Sequence, residues 1–145
     1  MKKVINKNAY RFYSIRDKFL AGVVLTGAEA KAIRTTGVDL RNAFVKVTNG
    51  EVYLINAIIS PYKYARSDDY DFGRTRKLLL KEKEIKKLLT AIKNKLTIVP
   101  LACYTKGRWI KVEIGSGQKK TKKQRKNDII ERQIDRKLSQ GMSKI

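Results

Sequence analysis

A chain of 145 residues that sets 34 lysines and arginines against 13 aspartates and glutamates has a formal net charge of +21. That excess is far beyond what solubility needs and implies a polyanionic partner, nucleic acid foremost. It contains no histidine, the commonest general base and metal ligand, and the lone Cys103 excludes an intrachain disulfide or a cysteine zinc cluster; 42% apolar residues suffice for one modest core, with no apolar run near the roughly 18–20 residues of a membrane span.

The opening Met1-Lys2-Lys3-Val4-Ile5-Asn6 lacks the long hydrophobic stretch of a secretory signal, and a reducing cytosol is the expected location. Residues 10–17 read as a strand and 19–25 as another, with Ala21-Gly22 marking a bulge or a close backbone approach. Thr26-Gly27-Ala28-Glu29 matches a capping box and predicts a helix over 27–36, stopped by Gly37. Ala43, Val45 and Val47 alternate with Phe44, Lys46 and Thr48, and Asn49-Gly50 suits a type I′ hairpin turn into a return strand over 51–59. Residues 62–73 are polar and aromatic and read as a long loop.

Residues 77–80 fit either a strand or the first turn of one long helix, because three consecutive leucines have no period of their own. Ile85, Leu88, Leu89 and Ile92 have helical spacing, so a helix is predicted over about 81–93. A strand over 96–104 is interrupted by Pro100, which suggests an edge or a bulge. Cys103, between Ala102 and Tyr104, reads as a buried structural thiol. After a turn at Thr105-Lys106-Gly107, residues 108–114 alternate cleanly, with Trp109 read as packing. About six short, mostly antiparallel strands and two short helices predict a mostly β chain closed into a small barrel.

The composition then shifts. Gly115-Ser116-Gly117 reads as a flexible joint dividing a body, 1–115, from a basic tail, 116–145. Lys119, Lys120, Lys122, Lys123, Arg125 and Lys126 place six cations in eight positions, which self-repulsion should keep extended when the chain is alone. From about 127, Ile130, Ile134 and Leu138 are four apart, a stripe too short for a stable isolated helix but suited to one that forms on a partner.

Phosphates need cations at reachable spacing, and unstacked bases need aromatic or guanidinium faces. Three basic groups qualify: Lys7, Arg11, Lys31 and Arg34; Arg74, Arg76 and Lys77, following the loop aromatics Tyr62, Tyr64, Tyr70 and Phe72; and the tail cluster. Alternation would put Arg74 and Arg76 on one side of a strand. Basic helix faces are often only solvated, and loop tyrosines often plug a barrel mouth. Asp68, Asp69 and Asp71 could hold a divalent ion, although a solvated acidic loop accounts for them. With no Gly-rich phosphate loop and no nucleophile elbow, the pattern argues for a binding protein rather than an enzyme, without cofactor or metal.

Several blocks resemble the bacterial SsrA-binding protein (SmpB) family: Asn6-Lys7, Gly22 through Arg34 (GVVLTGAEAKAIR), Gly50-Glu51, Arg74 through Leu80 (RTRKLLL) with Glu84-Ile85, Val99-Pro100-Leu101, and Lys111 to Gly115. They run in order over nearly the whole body. The resemblance implies an OB-like antiparallel barrel with small flanking helices and a basic C-terminal tail. It implies a non-catalytic adaptor, monomeric on RNA and away from membranes. Such an adaptor binds the tRNA-like domain of transfer-messenger RNA and delivers it to stalled ribosomes for trans-translation. Carried over by matching position, Asn6, Lys7, Glu29, Lys31, Arg34, Arg74, Arg76 and Lys77 are RNA-side candidates. The tail is implied to enter the vacant A site, decoding centre and mRNA channel as a helix, with Lys119, Lys120, Lys122, Lys123, Arg125, Lys126, Ile130, Arg132 and Ile134 facing ribosomal RNA. Thr121-Lys122 stand where a ring-bearing residue often sits in the family. The alternative from composition is a structural ribosomal-RNA-binding protein with a basic tail, which copy number per ribosome would separate.

Overall fold

The computed structural model describes residues 2–61, 71–127, 129, 130 and 133. Tyr62, Tyr64, Asp68, Asp69, Tyr70, Arg132, Ile134 and Leu138 lie outside these. The elements run in the order β1 (Lys2–Ile5), α1 (Lys7–Phe12), β2 (Tyr13–Val23), α2 (Gly27–Thr35), β3 (Phe44–Thr48), β4 (Glu51–Ile55), β5 (Arg76–Leu79), α3 (Glu82–Lys93), β6 (Thr97–Lys106) and β7 (Trp109–Lys119).

The seven strands form one antiparallel sheet in the order β1-β6-β7-β2-β5-β4-β3. β3 comes into contact with β6, but no ladder joins them among the described residues. The expected barrel is therefore an open, OB-like wall rather than a hydrogen-bonded ring. One core fills the inner side. It joins Phe19, Ala21, Val45, Val52, Leu54, Leu78, Ile98, Cys103, Val112 and Ile114 from the sheet to Ala32 and Ile33 of α2 and Leu88 and Ala91 of α3. A smaller cluster sets Ala9 of α1 against Val99 and Leu101.

Local chemistry accounts for most boundaries. Thr26 Oγ1 accepts from the Glu29 N–H at 3.2 Å, and the Glu29 carboxylate accepts from the Thr26 N–H at 2.9 Å, so the capping box of α2 is real. Gly37 follows α2 at φ +92°, and Asn49 and Gly50 take φ 52° and 74°, the left-handed pair a type I′ turn needs. Asn56, at φ 62°, ends β4 before the predicted boundary, leaving Ile58 a single bridge to Asp39. Pro100 marks a bulge, not an edge: the β6–β7 register shifts between Pro100 and Ala102, while β6 lies between β1 and β7. Residues 77–79 resolve as strand, the end of β5, and Leu80 lies just beyond it. On α3, Leu88 is buried and Ile85 partly so, whereas Leu89 and Ile92 face outward.

Three readings change. Residues 10–12 belong to α1, and the two strands expected over 10–25 are one, β2, whose irregularity lies between Ile15 and Asp17. Gly115, Ser116 and Gly117 are buried strand, not a flexible joint. A Cβ on Gly115 would lie 2.7 Å from Leu101 Cδ1, and one on Gly117 3.0 Å from the Ser14 carbonyl. The absent side chains let β2 and β6 close onto β7. The lysine cluster is not extended either: residues 122–127 are helical, opened by Thr121 and Gln124, each of whose side chains bonds the other's N–H.

Candidate nucleic-acid interface

The capping box that builds α2 also aims a carboxylate inward. Glu29 is 2% exposed, and its oxygens meet Arg74 Nη2 at 2.5 Å and Arg76 Nε at 2.6 Å. Burial pushes this carboxyl up, but hydrogen bonds from Arg74, the Thr26 N–H and Arg76 outweigh it and hold the group at about 2. Arg76, 1% exposed, also donates to the carbonyls of Ala57 at 2.8 Å and Phe72 at 3.2 Å. It shares the inward face of β5 with Leu78. The expectation that Arg76 faces RNA beside Arg74 is therefore corrected: its guanidinium is an internal strut whose donors are engaged. Arg74 keeps a side chain 40% exposed at the rim.

Asn6 is also internal. Its Nδ2 donates to the Leu40 carbonyl at 3.0 Å and the Pro100 carbonyl at 2.9 Å, and its backbone N–H to Leu101 at 2.8 Å, pinning β1 and α1 to β6. Lys7 is exposed at the start of α1, and Lys31 and Arg34 are exposed on α2. Lys77 is half-buried and paired to Glu51 at 3.2 Å. Tyr53 donates a short hydrogen bond to the same carboxylate. Burial raises the Cys103 thiol to about 11, as its structural reading requires.

The outer face of the sheet carries a surface that charge counting missed. Register places Leu79 of β5 opposite Gly22 of β2, Gly22 opposite Lys111 of β7, Lys111 opposite Tyr104 of β6, and Tyr104 opposite Lys3 of β1. One row thus crosses five strands. Leu20, two residues from Gly22 on the same face, is 54% exposed, Leu79 53% and Trp109 65%. Lys111 Nζ lies 5.3 Å from the Trp109 ring centroid and Lys3 Nζ 5.0 Å from that of Tyr104. Trp109 is therefore not a packing residue. Gly22 keeps the row low, since a Cβ there would sit 3.3 Å from Leu79 Cβ and 3.5 Å from Lys111 Nζ. Exposed apolar and aromatic groups alternating with ammonium groups suit unstacked bases and their phosphates. The available signal was alternation itself: Leu20, Gly22, Leu79 and Lys111 all occupy outward positions of their strands.

The tail starts from a fixed root. Tyr13 and Lys119 close the β2–β7 ladder, and the Lys120 N–H donates to the Phe12 carbonyl at 2.8 Å. Arg125 then lies over the Phe12 ring, 5.3 Å from its centroid. Among the described tail candidates, Lys119, Lys122, Lys123, Lys126 and Ile130 are exposed and Lys120 and Arg125 half-buried.

The sequence profile of the family described as SmpB protein matches residues 3–144. The chain belongs to the SmpB family. It is 43% identical to the SsrA-binding protein of Microcystis aeruginosa over 143 residues, covering 96% of this chain and 92% of that one. The SsrA-binding protein of Persephonella marina is 43% identical over 135 residues, 92% of this chain and 89% of that one. A solved chain described under "tmRNA-SmpB: a journey to the center of the bacterial ribosome" superimposes with a TM-score of 0.69 at 36% identity, over 83% of this chain and 85% of that one. SmpB membership fits the mostly antiparallel, OB-like sheet. No helix among the described residues is long and apolar enough to cross a membrane.

Proposed function

We propose that this chain is the RNA-binding adaptor of ribosome rescue. It binds the tRNA-like domain of transfer-messenger RNA and brings it to stalled ribosomes for trans-translation, while its tail occupies the empty A site and mRNA channel. The observation that carries this reading is the row Leu79-Gly22-Lys111-Tyr104-Lys3 with Leu20 and Trp109 beside it, on a chain whose relatives are named SsrA-binding proteins. Lys7, Lys31, Arg34, Arg74 and Lys77 surround the body with cations that add attraction to the backbone without reading sequence. Asn6, Glu29 and Arg76 serve the same function indirectly, by fixing α1, α2 and β5. The tail's charges engage ribosomal RNA once mRNA no longer fills the channel. The protein acts in the cytoplasm, as a monomer on RNA, and performs no catalysis.

Titration of the isolated tRNA-like domain against a hairpin of equal length tests this. Shape recognition by the body should give at least about tenfold tighter binding to the tRNA-like domain at the same salt concentration. Equal affinities for the two RNAs would reduce the protein to an unspecific polycation and sink the reading.

A further inference from the structure

The root of the tail holds a second cationic site. Between α1 and the start of the tail runs a cleft of about 340 Å³ lined by Arg11, Phe12, Lys122, Arg125, Lys126 and Ile129. Four of these six are cations and none is acidic. None of the four enters an ion pair among the described residues, in contrast to Arg41, Arg74, Arg76 and Lys77, each of which meets a carboxylate. Arg11 and Arg125 both lie over Phe12, with Cζ 5.5 and 5.3 Å from the ring centroid, and Arg125 Nε is buried without a hydrogen-bond partner. The fold thus holds like charges together around one ring, with no counter-charge against them among the described residues.

We propose that this cleft is a binding site for RNA phosphodiesters, and that a strand seated in it clamps the tail helix onto α1. The two guanidiniums over Phe12 can each take phosphate oxygens in pairs, and Lys122 and Lys126 add point charges one helical turn apart. A bound phosphate turns the mutual repulsion of the four cations into shared attraction, so RNA fixes the direction in which the tail leaves the body. The inference rests on the proposed function only in taking RNA as the anion.

The full-length protein is titrated with labelled hexauridylate, comparing Arg11→Gln/Lys126→Gln with Lys83→Gln/Lys93→Gln on α3, which removes the same charge elsewhere. All four positions are exposed, and thermal midpoints check that both variants fold. The cleft pair should lose about tenfold in affinity near 0.1 M salt, and its slope of log K against log salt should shrink by about 1.4, while the α3 pair changes less than about twofold. Equal losses in the two variants would overturn the site. Hexauridylate binding does not depend on transfer-messenger RNA recognition, so the two readings fail separately. Repeating the comparison with small ribosomal subunits and with the tRNA-like domain names the source: a cleft-specific loss on the subunits supports the clamp with ribosomal RNA supplying the phosphates, and a loss on the tRNA-like domain alone or on neither overturns it.

Discussion

Glu29 is held by two guanidiniums and one backbone N–H in a place water does not reach, so its charge is worth much more than a surface charge. Its folded-state pKa of about 2 lies below the ordinary 4.5. The stabilisation is therefore complete above about pH 4.5 and is lost as pH falls toward 2, in total about 3 kcal/mol. Glu29→Gln should lower stability by about 3–5 kcal/mol at neutral pH, because Arg76 is left buried beside a neutral amide. Urea midpoints of wild type and variant should converge as pH is lowered through that window; parallel curves would contradict the pairing. Residues of the outer row behave oppositely. Lys111→Gln and Leu79→Asp remove groups that touch solvent, so unfolding free energies should stay within about 0.5 kcal/mol of wild type. Affinity for the tRNA-like domain should nevertheless fall by about tenfold, as read in a binding titration, if bases stack there.

Gly115 and Gly117 sit where β7 is squeezed between neighbours, and a methyl group there meets Leu101, Ile15 and backbone carbonyls. Gly115→Ala and Gly117→Ala should each cost about 1–3 kcal/mol in chemical denaturation, whereas a linker would accept both without change. The same pair shows where sequence reading ran out. Glycine-serine-glycine before a lysine run is the composition of a hinge, and only the register with β2 reveals that the glycines are there for close approach. α1 was hidden likewise: six residues, among them Tyr10 and Phe12, are too short and too rich in β-formers to show a helical period, and Asn6 spends its side chain on Leu40 and Pro100 rather than on a cap. β1 exists because β6 offers it an edge. By contrast α2 and the β3–β4 turn each rest on chemistry within a few residues and were legible, while Pro100 left an edge or a bulge open until the register with β7 decided it. Among site residues, positive charge located the tail and the rim cations but could not tell an internal strut such as Arg76 from a surface contact. It also overlooked Leu20, Leu79 and Trp109, which are conspicuous only once known to be exposed.

The net charge divides unevenly along the chain. Residues 121–145 hold eight cations and three acids, a net +5 of the +21. Most of the excess thus stays with the body, and the tail's share is distinguished by its density rather than its sum. Truncation after Lys120, which leaves β7 whole, should change affinity for the tRNA-like domain by less than about threefold while abolishing rescue of stalled ribosomes in a reconstituted translation assay, since few phosphate contacts are lost. Equal loss of both activities would refute the division of labour between body and tail. β7 itself sets the geometry of that division. Trp109 and Lys111 stand at one end of the strand and the tail springs from Lys119 at the other, with no bulge in β7 between them. Eleven extended residues make a rod about 34 Å long. The protein is in this sense a measuring stick: whatever RNA is held at the one end, the tail begins a set length away. Inserting one residue would turn the rod's far half inside out, and inserting two would lengthen it by about 7 Å while keeping its faces.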